Sequence, residues 1–217
     1  MDITWIKNST FLIKTSMGKR LLIDPFNKIH TCDISSLNPN IITLSSQNIE
    51  SLCPNEIGPH IKIINSPGTY DTDIGLIKGY TTYCDHYSGY KRGPNTIYTY
   101  NIDNLKLCHL GYLGEFLSDN IIDELDDIDI LFIPIGGHIN LSGKEAYMLI
   151  KKISPKVIIP MNYKYSYSSF LFNGLKDFTL LLKKISKINT ESFTISKETL
   201  MENENAIILP PMFKSPY

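Results

Sequence analysis

The chain has 217 residues, of which 42% are hydrophobic and 20% charged, and its formal net charge is −1. This length and balance are typical of a folded globular domain and exclude a disordered chain. The near-neutral charge argues against nucleic-acid binding, which needs a basic face, and the apolar runs are too short to span a membrane. We therefore expect an unidentified small molecule or protein as the partner, with no nucleic acid, no membrane and no indication of oligomeric state.

The predicted elements, taken in chain order, are many short strands with helices mainly in the second half. The predicted strands are residues 2–6, 10–14, 20–23, 41–44, 61–65, 75–83, 95–100, 105–109, 128–134, 157–160, 190–195 and 206–209. The predicted helices are residues 115–125, 143–153 and 170–187. Proline and glycine fall at turns and no linker is visible, so residues 1–217 are expected to form a single domain.

The cysteines indicate the cellular compartment. The chain has four, Cys32, Cys53, Cys84 and Cys108, which are scattered and form no C-x-x-C pair. The first residues are strand-like and lack the charged and then apolar pattern of a signal segment. Scattered thiols without such a segment are typical of reduced proteins, so we expect a cytoplasmic protein.

Seven short segments are specific when their order and spacing are taken together. They are residues 3–13, 21–26, 67–68, 92–98, 108–111, 133–137 and 158–161. Through them the chain resembles the metallo-β-lactamase superfamily, most closely the small branch related to L-ascorbate-6-phosphate lactonase. The resemblance implies an α/β fold, a four-layer αββα sandwich of metallo-β-lactamase type. It also implies hydrolysis at a dinuclear metal site, usually zinc, which activates a bound water.

The positions that correspond to the family's metal ligands carry other residues in this chain. They are Ser46, Asn48, Glu50, Ser51, Cys84, Tyr112 and Asn162. Of these, only Glu50 and Cys84 are good zinc donors. The interpretation is a degenerate metal site without a cofactor, in a non-hydrolytic pseudoenzyme that keeps a polar pocket for a ligand or a protein.

The alternative is a metal-dependent hydrolase, acting on a lactone or a phosphoester, that binds zinc through unusual or shifted ligands. A possible second polar site would use the residues Asp24, Asp85, His86, His109 and His138. This alternative predicts that side chains among Glu50, Cys84, Asp85, His86 and His109 converge on one point. A third hypothesis is a structural partner of an active paralogue.

Two further hypotheses concern cysteine and tyrosine. Cys84 with a nearby histidine would form a thiol nucleophile, although a buried inert cysteine is the more common outcome. The tyrosines of residues 80–90, followed by Lys91 and Arg92, are expected either to fill space in the sheets or to bind an aromatic or anionic ligand.

Overall fold

The structure, a computed structural model, describes residues 1–25, 34–46, 58–165, 173–200 and 205–212. The strands are β1 (Asp2–Lys7), β2 (Thr10–Lys14), β3 (Arg20–Ile23), β4 (Ile41–Thr43), β5 (Lys62–Ile64), β6 (Gly68–Thr72), β7 (Gly75–Tyr83), β8 (Pro94–Ile102), β9 (Leu105–His109), β10 (Ile130–Pro134), β11 (Val157–Met161), β12 (Lys184–Lys187), β13 (Ser192–Thr194) and β14 (Asn205–Ile208). The helices are α1 (Asp119–Glu124), α2 (Gly143–Ile153), α3 (Leu175–Thr179) and a short 3-10 helix, Ile34–Leu37.

The strands form two mixed sheets. The six-stranded sheet has the order β13-β1-β2-β3-β4-β5, and the eight-stranded sheet has the order β12-β14-β11-β10-β9-β8-β7-β6. Strands β3, β4 and β5 run parallel, and so do β9, β10, β11, β14 and β12. Every residue of β10 and β11 is buried, as is typical of parallel strands covered on both faces.

The two sheets pack face to face around one hydrophobic core. Trp5 and Phe11 of the first sheet and Tyr98, Tyr100 and Phe132 of the second are almost completely buried in it. The rings of Phe11 and Phe132 lie 4.6 Å apart between centroids, which places the contact in the middle of the sandwich.

Helix α2 confirms the predicted helix at 143–153. Ser142 and Glu145 form a capping box at its start, which satisfies backbone N–H groups that have no partner inside the helix. Four of its apolar side chains are buried, and the helix contacts β10 and α3; the four are Ala146, Leu149, Ile150 and Ile153. No helix in the part of the chain that the structure describes is long and apolar enough to cross a membrane.

The predicted helix at 170–187 is wrong over most of its described length. Only Leu175–Thr179 is helical, and Lys184–Lys187 form strand β12, which pairs with β14. Of the apolar residues whose spacing indicated a helix, Phe178 is buried but Leu181 is 38% exposed. Pairing of strands distant in sequence overrides local helical spacing here. Strand β6 was not predicted from the sequence.

Candidate functional site

Asp24 lies where β3 ends, in a cluster of buried polar residues with Ser9, Ser45 and His109 that we call the polar pocket. Its backbone has a left-handed conformation (φ 45°), and its Oδ1 accepts a hydrogen bond of 2.7 Å from the Ser45 backbone N–H. Its Oδ2 is buried and has no hydrogen-bond partner among the described residues. Burial raises the pKa of Asp24 to about 7, and the Ser45 N–H, with smaller contributions from the nearby Ser45 and Ser9 hydroxyls, offsets this only in part.

Buried side-chain atoms without a partner gather at this edge of the sandwich. Within the described ranges, they belong to four residues: Asp24, Ser45, Asn140 and Asn162. Asp24, Ser45 and Asn162 lie one or two residues after the ends of β3, β4 and β11, and Asn140 lies in the loop that follows β10. An unpartnered buried polar group costs about 1–3 kcal/mol, so a cluster of them indicates a site built to receive a ligand, an ion or water.

Two more former ligand positions lie beside Asp24. Ser46 and Cys84 are both buried and hydrogen-bonded to each other, and the Cys84 thiol also contacts the Pro94 carbonyl oxygen at 3.5 Å. Burial raises the pKa of Cys84 to about 11, so this cysteine is a thiol at neutral pH. Because the thiolate is the nucleophile and the metal ligand, the pocket does not activate Cys84 for either role.

Tyr112 and Asn162 flank the turn between β1 and β2. The Ser9 hydroxyl donates to the Tyr112 hydroxyl oxygen at 3.0 Å, and the Asn162 backbone N–H donates to the Asn8 carbonyl at 3.3 Å. Asn95 fixes Tyr112 further by accepting its backbone N–H at 2.9 Å. Burial raises the pKa of Tyr112 above its usual range, so its hydroxyl keeps its proton.

His109 also borders the pocket, but both of its ring nitrogens are occupied. Nε2 lies 2.9 Å from the Ser9 carbonyl oxygen, and Nδ1 accepts the Gly111 N–H at 3.2 Å. Burial lowers the pKa of His109 to about 3, so the ring is neutral and does not form an ion pair with Asp24, although Nδ1 and Oδ2 are 3.9 Å apart. His109 therefore fixes the geometry of the pocket wall.

The other candidates for a shifted site point elsewhere. The Asp85 carboxylate accepts backbone N–H bonds from Tyr87, Gly89, Lys91 and Arg92 of its own loop. Burial alone raises the pKa of Asp85, but these hydrogen bonds outweigh it and lower the pKa. His86 lies 3.2 Å from Glu145 near the surface, and His138 is exposed. Of that set, only Asp24 and His109 reach the pocket.

The described part of the chain contains no group of three or more His, Cys, Asp or Glu side chains that could hold a metal ion. Asn48, Glu50 and Ser51, which were predicted from the sequence to line the pocket, lie outside the described residues. Their role stays a prediction.

Four pocket residues were not identified as candidates from the sequence: Ser9, Ser45, Asn95 and Asn140. Ser45 and Asn140 follow strands whose ends meet at this edge, and that position is the only sequence signal they carry. Asn95 is found through its contacts alone, since its amide donates to the Thr82 hydroxyl and the Leu110 carbonyl.

Comparison with known proteins gives the family. The family model for the beta-lactamase superfamily domain matches residues 2–162, which is most of the chain. The chain belongs to this superfamily. The resemblance read from the sequence is therefore confirmed.

Relatives in the superfamily extend over most of the chain. A protein of Methanosarcina barkeri named UPF0173 metal-dependent hydrolase is 29% identical over 193 residues, covering 75% of this chain and 83% of that protein. A solved structure from Thermotoga maritima, assigned to the metallo-beta-lactamase superfamily as a Zn-dependent hydrolase, is 25% identical with a TM-score of 0.76. That comparison covers 96% of this chain and 99% of the other. The predicted α/β sandwich of metallo-β-lactamase type is confirmed.

These relatives correct three predictions. Because they are named metal-dependent hydrolases, the prediction of a non-hydrolytic pseudoenzyme is wrong. The predictions of a degenerate metal site and of no cofactor are wrong for the same reason. The physical reason is that those predictions judged each ligand position by residue type alone. They left Asp24 to the alternative polar site, although its Oδ2 is buried without a partner among the described residues.

Proposed function

We propose that the chain is a metal-dependent hydrolase that binds its cation through an unusual donor set centred on Asp24. The observation that carries the proposal is the buried Oδ2 of Asp24, which has no partner among the described residues. The names of the relatives support the reaction class, since those proteins are metal-dependent hydrolases.

The chemistry of the donors favours one kind of cation. Zinc pairs are held by imidazole nitrogens, thiolates and several carboxylates, and the described residues do not fit that pattern. The atoms available are oxygens: a carboxylate oxygen of Asp24, the Ser45 hydroxyl and the Asn162 amide oxygen. Oxygen donors suit Mg²⁺ or Mn²⁺, and Mg²⁺ is commonly bound by one or two carboxylates, water and a substrate phosphate.

Residues around Asp24 position the carboxylate and the pocket wall. When bound, the cation would polarise the scissile group and favour ionisation of a water. The Ser45 N–H holds the Asp24 carboxylate so that one oxygen stays directed away from the backbone. His109, neutral and fixed by Ser9 and Gly111, keeps the pocket wall in place.

We propose a phosphoester as the substrate, because a site with a single carboxylate relies on the substrate's phosphate to complete the shell of Mg²⁺. A lactone is the second candidate. The buried thiols Cys84 and Cys108, which form no disulfide, agree with our further proposal that the protein is cytoplasmic.

The test uses Asp24→Asn. Asparagine keeps the acceptor for the Ser45 N–H and tolerates the left-handed backbone, so the fold should persist. The single tryptophan, Trp5, donates to the Asn8 carbonyl next to the pocket and reports cation binding by fluorescence. We expect Mg²⁺ or Mn²⁺ to change wild-type emission and to support hydrolysis of bis(p-nitrophenyl) phosphate, with a δ-lactone assayed in parallel.

In Asp24→Asn, we expect the fluorescence response to disappear and hydrolysis to fall about 100-fold or more, since the cation contributes several kcal/mol to catalysis. The matched control is Asp127→Asn, an exposed aspartate with the same left-handed backbone. Activity that survives both chelation and Asp24→Asn would contradict the proposal.

A further inference from the structure

We infer that the Tyr112 hydroxyl and the Asn162 amide form a binding site for an oxyanion, either a phosphoryl group or a carboxylate. The inference deepens the proposed function, on which its assignment to the substrate rests. The binding site itself rests on hydrogen-bond donors that are buried or half-buried and point to no acceptor within the described part of the chain.

The Tyr112 hydroxyl has an uncommitted proton. Ser9 donates to its oxygen at 3.0 Å, so the Tyr112 O–H must donate to something else. No described residue is seen to accept it, and the side chain is half-buried, so a ligand can reach the hydroxyl. Buried donors in proteins are nearly always satisfied, so the acceptor is expected to come from a ligand or from water.

The Asn162 side-chain amide also has a donor without an acceptor among the described residues. Its side chain is completely buried, and neither Nδ2 nor Oδ1 has a partner among the described residues. Its backbone is fixed in the left-handed region (φ 52°) and bonded to the Asn8 carbonyl, so the amide is held in place before any ligand arrives. Such pre-organised donors lose little entropy on binding.

One short turn brings the two groups together. Asn8 receives the Asn162 backbone N–H, and the adjacent Ser9 orients Tyr112. The Trp5 indole N–H donates to the Asn8 carbonyl at 2.9 Å and anchors the turn to the core. An oxygen atom bound next to this turn can therefore accept from both side chains.

The donors favour an anion over a neutral ligand. The Tyr112 oxygen is already an acceptor for Ser9, so the hydroxyl offers its proton to the ligand. Hydrogen bonds to ionised oxygens are about twice as strong as neutral ones. A phosphoester and the hydroxy acid released from a lactone both present such oxygens, and the two sources can be separated by experiment.

The test is calorimetric titration of chelator-treated protein with inorganic phosphate and, separately, with gluconate. Tyr112→Phe removes only the hydroxyl, and Asn162→Asp keeps the size and the left-handed backbone but replaces the donor by a carboxylate. We expect each variant to weaken binding by about tenfold to 100-fold, the contribution of one hydrogen bond to a charged group. Stronger binding of phosphate would identify a phosphoester site, and stronger binding of gluconate a lactone site.

Matched controls separate this effect from general damage. Tyr80→Phe removes a hydroxyl that contacts Glu124, away from the pocket. Asn104→Asp makes the same exchange in a left-handed turn between β8 and β9, at the opposite edge. Both should bind like the wild type, and circular dichroism with Trp5 emission should show all four variants folded.

Wild-type protein that binds neither anion, or variants that bind as well as the wild type, would overturn the inference. The experiments test the metal-dependent function and the oxyanion site independently. If the variants lose anion binding while Asp24→Asn leaves hydrolysis unchanged, the oxyanion site stands and the metal-dependent function fails. If hydrolysis depends on Asp24 while Tyr112→Phe and Asn162→Asp bind normally, only the oxyanion site is wrong.

Discussion

Two buried aspartates at opposite edges of the sandwich differ in every contact they make. Asp129 directly precedes β10, and its carboxylate is bonded to the Lys156 and Lys197 ammonium groups at 2.7 and 3.0 Å and to the Lys106 backbone N–H at 2.9 Å. Asp24 directly follows β3 and keeps one oxygen without a described partner. Their side chains are equally hidden, at 2% and 0% exposure.

The pKa values of the two aspartates shift in opposite directions. Burial alone raises the pKa of Asp129, but the lysines and the backbone N–H outweigh it and lower the pKa. At Asp24, burial prevails and raises the pKa. A buried carboxylate that is fully bonded stabilises the fold, whereas one left incomplete indicates a site for something outside the chain.

The largest effect on stability is expected from Asp129→Asn. It leaves two lysines without their carboxylate and removes charge-assisted hydrogen bonds, so the free energy of unfolding should fall by about 2 kcal/mol. Urea denaturation followed by Trp5 fluorescence measures it. Asp119→Asn removes an exposed contact with Lys152 and should change stability by about 0.5 kcal/mol or less. If Asp129→Asn and Asp119→Asn lowered the free energy of unfolding equally, the structural role of Asp129 would be contradicted.

Asp24→Asn should have the opposite character, with little or no loss of stability. It removes an incompletely bonded buried charge and keeps the Ser45 contact, so its unfolding free energy at pH 8 should lie within about 1 kcal/mol of wild type or above it. The same urea titration, run in chelator, tests this. A loss as large as that of Asp129→Asn would show that Asp24 is a structural residue.

Acid should destabilise the fold by protonating Asp129. Hydrogen bonds from the lysines and the Lys106 N–H make the pKa of Asp129 lower in the folded than in the unfolded chain, so the unfolded chain binds the proton more readily. The stabilisation is therefore present above about pH 4 and is lost as the pH falls through the lower folded-state pKa. Urea midpoints measured from pH 6 to pH 2.5 should drop less steeply in Asp129→Asn, and parallel curves would exclude this role.

The smallest effect is expected at Cys84. It borders the pocket but remains a protonated thiol, so Cys84→Ala should change the kcat/KM of any hydrolysis by about twofold or less, below 0.5 kcal/mol in the barrier. Native protein should also react slowly with iodoacetamide at pH 7.5. Rapid alkylation of Cys84 that abolishes hydrolysis would instead support the hypothesis that this thiol is a nucleophile.

The sequence predicted the strands well because most of them carry dense apolar runs bounded by glycine, proline or asparagine. It also singled out Asp24, Cys84, Tyr112 and Asn162 as candidates, each of which follows a strand or a strand-like segment. The helix at 170–187 was wrong because pairing of β12 with β14 depends on residues distant in the chain.

Other features of the site depend on tertiary contacts that residue types do not encode. Asp85 and His86 looked like donors, but one binds its own loop and the other pairs with Glu145. The unpartnered atoms of Ser45 and Asn140 become evident only when burial is known. Counting ligand residues without burial led to the incorrect pseudoenzyme hypothesis.

The loop that Asp85 organises is fixed by its own hydrogen bonds. Its carboxylate holds four backbone N–H groups between Tyr87 and Arg92 at 2.7–3.0 Å, and the adjacent His86 joins the loop to α2 through Glu145. Opening this loop would break several of these bonds at once. We therefore expect these four N–H groups to open together or not at all.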